Sequence, residues 1–202
     1  TMFNQVFVVK DYASLDARLH NDLKTTHNPV VLYCHGNSNH RGSPHRLQLY
    51  KVFQELDFHV VAFDYRGYGD STHIRPTERG VVEDCLHVYR WLIESLSTEN
   101  RPTVILWGHS LGTAVASNLV AHMSQLCSEY SMQELPMPDA LVLEGAFNNL
   151  PDEIQYHPFS KVSVLKSRSS SGAPLVFHAF EKGQGLGHNN ICESPELPII
   201  VR

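Results

Sequence analysis

Trp107-Gly108-His109-Ser110-Leu111-Gly112 sets a serine between two glycines, after the apolar run Val104-Ile105-Leu106 and before a helix-patterned stretch running from Ala114-Val115 through Leu119-Val120 to Met123. A Gly-x-Ser-x-Gly joining a strand to a helix is the pattern of a nucleophile elbow. The glycines are needed because a side chain at either position would collide with the neighbouring strand or helix. Such a turn exposes the Ser110 hydroxyl above the strand end and aims the Leu111 amide at a developing oxyanion. The chemistry this arrangement suits is acyl transfer through a serine ester. A tight turn that holds a serine by chance is the competing account, and two further features weigh against it.

The first is His35-Gly36-Asn37, directly after the apolar run Pro29-Val30-Val31-Leu32-Tyr33-Cys34. An oxyanion hole needs a second backbone donor beside the amide after the nucleophile, and the end of an early strand is where it arises. The Asn37 amide is the candidate. The second is His188 in Gly185-Leu186-Gly187-His188-Asn189-Asn190, which follows the serine in chain order and sits in a glycine-rich loop. A hydroxyl is a poor nucleophile at neutral pH, and imidazole can take its proton and return it to the leaving group. Thirteen histidines are present, so position alone raises His188 above the others.

The elements that would hold these groups alternate strand and helix. Val6–Val9 reads as a strand, 12–24 as an amphipathic helix, and 46–56 as a helix with Leu47, Tyr50, Val52, Phe53 and Leu56 on its apolar face. Phe58–Phe63 is a strand ending at Asp64. Residues 77–96 form the clearest helix, with Thr77 as its cap. A strand at Ala140–Leu143 follows the elbow helix, with a proline-marked loop over 127–138. Residues 160–173 read as a basic, serine-rich flexible linker, and Pro174–His178 as one more strand. This order predicts a single α/β domain over 1–202, with a mostly parallel sheet flanked by helices. Ligands of such sheets bind at the carboxyl ends of the strands, where His35 and Ser110 both fall. Asp64 and Asp70, in Asp64-Tyr65-Arg66-Gly67-Tyr68-Gly69-Asp70-Ser71, precede the nucleophile and are assigned a structural role beside Arg66.

Composition narrows the field. The 202 residues are 42% hydrophobic and 18% charged with a net charge of −5, which fits a globular domain and carries no footprint for nucleic acid. Cys34, Cys85, Cys127 and Cys192 are widely spaced and read as free thiols, with no metal site. His40 and His45 lack an acidic ligand cluster, which sets aside a metal hydrolase. Gly183-Gln184-Gly185-Leu186-Gly187 lacks the spacing of a nucleotide loop, so no cofactor is expected. No apolar run approaches the ~20 residues of a spanning helix.

Beyond the elbow, five stretches carry a resemblance. They are Val31–Asn37, Phe63–Ser71, Leu106–Thr113, Leu143-Glu144-Gly145-Ala146-Phe147-Asn148-Asn149 and Gly187-His188-Asn189-Asn190-Ile191-Cys192-Glu193-Ser194-Pro195. Through them the chain resembles the α/β-hydrolase domain-containing protein twelve group, its B paralogue most closely, over most of 27–160 and again over about 185–202. The resemblance implies the α/β-hydrolase fold and a serine hydrolase acting on monoacylglycerols or lysophospholipids, lysophosphatidylserine among them. It also supports Ser110 as nucleophile and His188 as base. An acyl-lipid substrate is the implied partner. The family's endoplasmic-reticulum membrane anchor is an N-terminal segment that this chain is not expected to carry.

The departures set the alternative. Relative to the group, a lid and an acid-bearing segment are expected to be missing between Phe159 and His188. The group's acid-bearing His-Gly/Ala-Glu-Asp-Asp stretch has its nearest counterpart in His178-Ala179-Phe180-Glu181-Lys182, with Lys182 at the acid's position and Glu181 one residue off. Pro174–His178 is either that strand or the next one, which carries the histidine loop. Asp152 and Glu144 are remoter acids. Two functions therefore stand: a serine ester hydrolase, or a shortened, weakly active or non-catalytic form.

Overall fold

A computed structural model describes residues 6–9, 17–145, 161–166, 175–179 and 191–200, with side chains over 20–145 and 191–198. The strands are β1 (Val6–Val9), β2 (Val30–Cys34), β3 (His59–Phe63), β4 (Val104–His109), β5 (Ala140–Glu144), β6 (Lys161–Lys166) and β7 (Leu175–Ala179). They form one sheet in the order β1-β3-β2-β4-β5-β6-β7. β1 to β5 pair in parallel, β6 is antiparallel to β5, and β7 is antiparallel to β6.

The helices are α1 (Ala17–Thr25), α2 (Pro44–Glu55), α3 (Glu78–Ser95), α4 (Leu111–Glu129) and a short α5 (Leu197–Ile200), preceded by a 3₁₀ turn at Ile191–Glu193. Side chains alternate along a strand, so each central strand feeds two cores. Leu32, Cys34, Val61 and Leu106 pack with Leu86, Tyr89 and Leu119 of α3 and α4. Val31, Tyr33, Val60 and Trp107 pack with Tyr50 and Phe53 of α2 on the opposite face. β2, β3 and β4 are buried along their whole length, the signature of a parallel sheet covered on both sides.

Three expectations need correction. Lys161–Lys166 is a strand and not linker. The serines and lysines there suggest a solvated tether, yet Val162 and Val164 alternate with Lys161 and Ser163 at the strand period. On α2 the expected face holds at Tyr50 and Phe53, with Val52 and Leu56 packed against the same core, but Leu47 is 42% exposed and Arg46 and Leu49 are buried in its stead. The buried set follows i, i+3, i+4, i+7, with an arginine in a slot that hydropathy assigns to an apolar side chain. Helix α4 continues to Glu129, past a kink at His122, into the segment assigned to loop. The Thr77 cap of α3 forms as expected, its Oγ1 accepting from the Gly80 amide at 3.0 Å.

Candidate active site

The site grows from the adjacent carboxyl ends of β2, β4 and β5. β2 and β4 run in register through Cys34 opposite Gly108, and β4 and β5 through His109 opposite Glu144. Ser110 leaves β4 with φ 50° and ψ −116°, a left-handed φ that a non-glycine residue adopts only under constraint. Three contacts supply that constraint. The Ser110 amide donates to the Glu144 carbonyl at 2.9 Å. Its own carbonyl accepts from the Thr113 amide at 2.9 Å and from Thr113 Oγ1 at 2.6 Å.

The flanking glycines let the chain turn this tightly. A Cβ on Gly108 would overlap the Gly112 carbonyl, and one on Gly112 would overlap the Cys34 carbonyl. The close approach of the start of α4 to β4 at Gly108, and to β2 at Gly112, thus excludes any side chain at these positions. Leu111 is the first residue of α4, and amides of a first helical turn have no carbonyl to meet within the helix.

The Asn37 loop abuts the elbow. A Cβ on Gly36 would stand 3.2 Å from Ser110 Cβ and 3.0 Å from His109 Nδ1. Ser110 and Leu111 therefore share one neighbourhood with the loop that carries Asn37. Tyr68 donates its hydroxyl to Asn37 Oδ1 at 2.7 Å, and Tyr65 donates to the His35 carbonyl at 3.2 Å. His188 lies outside the described residues, as do Glu181, Lys182 and Asp152.

Several buried side chains hold the loop, Arg46 and Arg41 among them without a motif to announce them. The buried Arg46 donates to the carbonyls of Gly36 at 3.2 Å, Ser38 at 2.8 Å and His40 at 2.6 Å. His35, also buried, uses Nδ1 on the Gly36 carbonyl at 2.8 Å and sets Nε2 3.2 Å from Asp64 Oδ1. Asp64 accepts from the Arg41 amide at 2.6 Å and from the Arg41 guanidinium, which also reaches Asp70 Oδ2 at 3.1 Å. Burial alone would raise the Asp64 pKa, but His35 and Arg41 outweigh it and hold the carboxyl below its ordinary value. The structural role of Asp64 and Asp70 thus runs through Arg41, while Arg66 pairs with Asp84 of α3 at 2.7 Å. In the sequence, His35-Gly36-Asn37 and the spacing of Asp64 and Asp70 in a glycine turn mark parts of this cluster, while nothing marks Arg41 or Arg46.

Glu144 is buried at the elbow's other flank and accepts from Trp107 Nε1 at 2.8 Å. Burial pushes its pKa up to about 8 against the opposing pull of the Trp107 hydrogen bond and the Arg46 charge. The carboxyl is therefore mostly protonated at neutral pH.

A family model described as the alpha/beta hydrolase fold matches residues 29–158, a span that contains the sheet centre, the elbow and the Asn37 loop. The chain belongs to the α/β hydrolase fold family. Within it, this α/β hydrolase is 46% identical over 153 residues to "Lysophosphatidylserine lipase ABHD12" of Rattus norvegicus, covering 76% of this chain and 35% of that protein. It is 42% identical over 123 residues to "Protein ABHD12B" of Homo sapiens, covering 61% of this chain and 31% of that protein. The α/β hydrolase chain thus spans about a third of the length of the curated relatives it matches. A solved esterase of Pyrococcus furiosus, Pf2001, superposes with a TM-score of 0.42 at 21% identity, over 50% of this chain and 40% of that one. Among the described residues no helix is long and apolar enough to cross a membrane.

Proposed function

We propose that this α/β hydrolase is a serine ester hydrolase of lipase or lysophospholipase type, acting on lysophospholipids or monoacylglycerols. The observation that carries it is Ser110 held at φ 50° on a glycine-flanked turn with the Asn37 loop packed against it. Identity of 46% to a protein named for lysophosphatidylserine hydrolysis points to that substrate class.

In the proposed reaction, the His188 imidazole takes the Ser110 proton as Oγ attacks the ester carbonyl. The amides of Leu111 and Asn37 receive the oxyanion. Collapse of the tetrahedral intermediate breaks the ester C–O bond, and the imidazolium protonates the departing glycerol oxygen. Water then attacks the acyl-enzyme with His188 again as base, releasing the fatty acid and restoring the serine.

One observation favours a weaker catalyst. If His178-Ala179 begins the group's acid-bearing stretch, Lys182 falls at the acid's position with Glu181 one residue away; if Pro174–His178 is instead the strand of the histidine loop, that stretch is missing. Loss of that acid costs a serine protease about 10⁴-fold in turnover, or ~5 kcal/mol, without erasing nucleophile reactivity.

The test is release of fatty acid from lysophosphatidylserine and monoacylglycerol micelles by the wild-type chain, Ser110→Ala and Lys182→Asp. Turnover abolished by Ser110→Ala supports the hydrolase. A large gain in Lys182→Asp identifies a catalyst weakened at its acid. Absence of turnover in all three folded proteins overturns the proposal.

A further inference from the structure

Arg46 presents an unusual expenditure of a charged group. Its residue is 1% exposed, and a buried guanidinium is costly unless its donors are satisfied. Its two terminal nitrogens donate to the main-chain carbonyls of Gly36, Ser38 and His40, and the guanidinium also interacts with the buried Tyr33 hydroxyl. One side chain on α2 thus grips three alternate peptides of the loop that leaves β2 beside Ser110. Asn37, between two of the gripped residues, is exposed.

The Gly36 carbonyl belongs to the same planar unit as the Asn37 N–H. In a trans peptide the two point in opposite directions, and the described chain contains no cis bond. Drawing the Gly36 oxygen inward to Arg46 and His35 therefore turns the Asn37 N–H outward. A cation at the carbonyl end also polarises the unit and strengthens the N–H as a donor. Placed this way, the peptide has no need to reorganise as negative charge develops on a substrate oxygen.

The geometry points to Arg46 as the positioning residue of the oxyanion site, which through the carbonyls of Gly36, Ser38 and His40 orients and polarises the Gly36–Asn37 peptide. This rests on the proposed role of the Asn37 amide. Lysine cannot replace arginine here, because a compact ammonium on a flexible stem cannot reach three divergent carbonyls at once.

The experiment compares wild type with Arg46→Lys and Arg46→Gln on a short-chain ester, with thermal melting as the folding control. Loss of one oxyanion donor lowers kcat by about 10²- to 10³-fold. A drop in kcat of about 10²-fold in both variants is expected, with KM changed by less than about 2-fold. A trifluoromethyl ketone, which forms a tetrahedral alkoxide on Ser110, should lose affinity in step with kcat. Folded variants that keep wild-type kcat, or that lose only KM, overturn the assignment. So does a fall in kcat without a fall in ketone affinity.

Amide and guanidinium NMR of the wild type supplies an arm independent of turnover and of whether the variants fold. Slow exchange of the Arg46 Nη protons is expected, and fast exchange overturns the proposal. Wild-type protein that binds no ketone and turns over no ester, yet shows protected Arg46 protons, refutes the hydrolase function and leaves the anchoring geometry standing.

Discussion

Glu144 makes stability fall as pH rises, and replacing it with glutamine should remove that fall. Its carboxyl is buried with a pKa pushed from 4.5 to about 8. The folded state therefore keeps a proton that the unfolded chain has already released. The sign follows: this contribution to stability is fully present below the unfolded value and declines as pH rises through the folded one. At ~1.4 kcal/mol per pH unit, the decline between pH 5 and pH 8 comes to about 3–4 kcal/mol, a sizeable share of a domain's ordinary stability. Glutamine keeps an oxygen for the Trp107 Nε1–H and has no proton to lose. Its effect on packing adds a pH-independent offset, so the slope is diagnostic and the offset is not. Urea unfolding followed by tryptophan fluorescence at pH 5, 6, 7 and 8 measures both. The difference in stability, Glu144→Gln minus wild type, should grow by about 3–4 kcal/mol across that range. Parallel stability profiles for the two proteins would refute the burial of a protonated Glu144 beneath the elbow. Because the Glu144 carbonyl accepts from the Ser110 amide, ionisation should also disturb Ser110, and the proposed ester hydrolysis should hold to higher pH in the glutamine variant.

Three further outcomes follow from the packing. Gly112→Ala forces a methyl group onto the Cys34 carbonyl and should cost at least ~2 kcal/mol in urea unfolding, whereas Gly36→Ala meets only side-chain atoms of His109 and Ser110 and should cost less. Asp64→Asn leaves Arg41, whose side chain is 6% exposed, short of a partner and should destabilise by about 3–5 kcal/mol. Since the Asp64 pKa lies below its ordinary value, its stabilisation is present above the unfolded value and lost as pH falls through the folded one; the acid limb of the wild-type stability profile should flatten in Asp64→Asn. Thr77→Ala removes the cap on α3 and should lower stability by about 1 kcal/mol, read as a drop in melting temperature.

The parts of this molecule legible in its sequence are those where local pattern and steric need coincide. Val30–Cys34 and Val104–Leu106 read as buried strands because unbroken apolar runs suit a sheet covered on both faces, and both form. The glycine-flanked turn was legible because Gly108 and Gly112 have no alternative: α4 starts too close to β4 and β2 for a side chain at either. Arg46 was illegible because burial of a charge depends on carbonyls supplied by a loop six to ten residues away, which hydropathy cannot register. Hydropathy therefore placed its exposed neighbour Leu47 on a face that is otherwise read correctly at Tyr50 and Phe53. The pairing of Arg41 with Asp64 and Asp70 is likewise set by tertiary approach across 23 and 29 residues. β6 escaped notice because its serines and lysines outweighed a short alternation of valines.

The most direct test of the central claim is intact-mass analysis of the folded chain after exposure to a fluorophosphonate, with peptide mapping of the modified site and with Ser110→Ala and His188→Ala alongside. A single adduct on Ser110, absent in Ser110→Ala and formed far more slowly in His188→Ala, is the predicted result. A folded wild-type protein that takes up no adduct, or that is modified equally fast without His188, would contradict it.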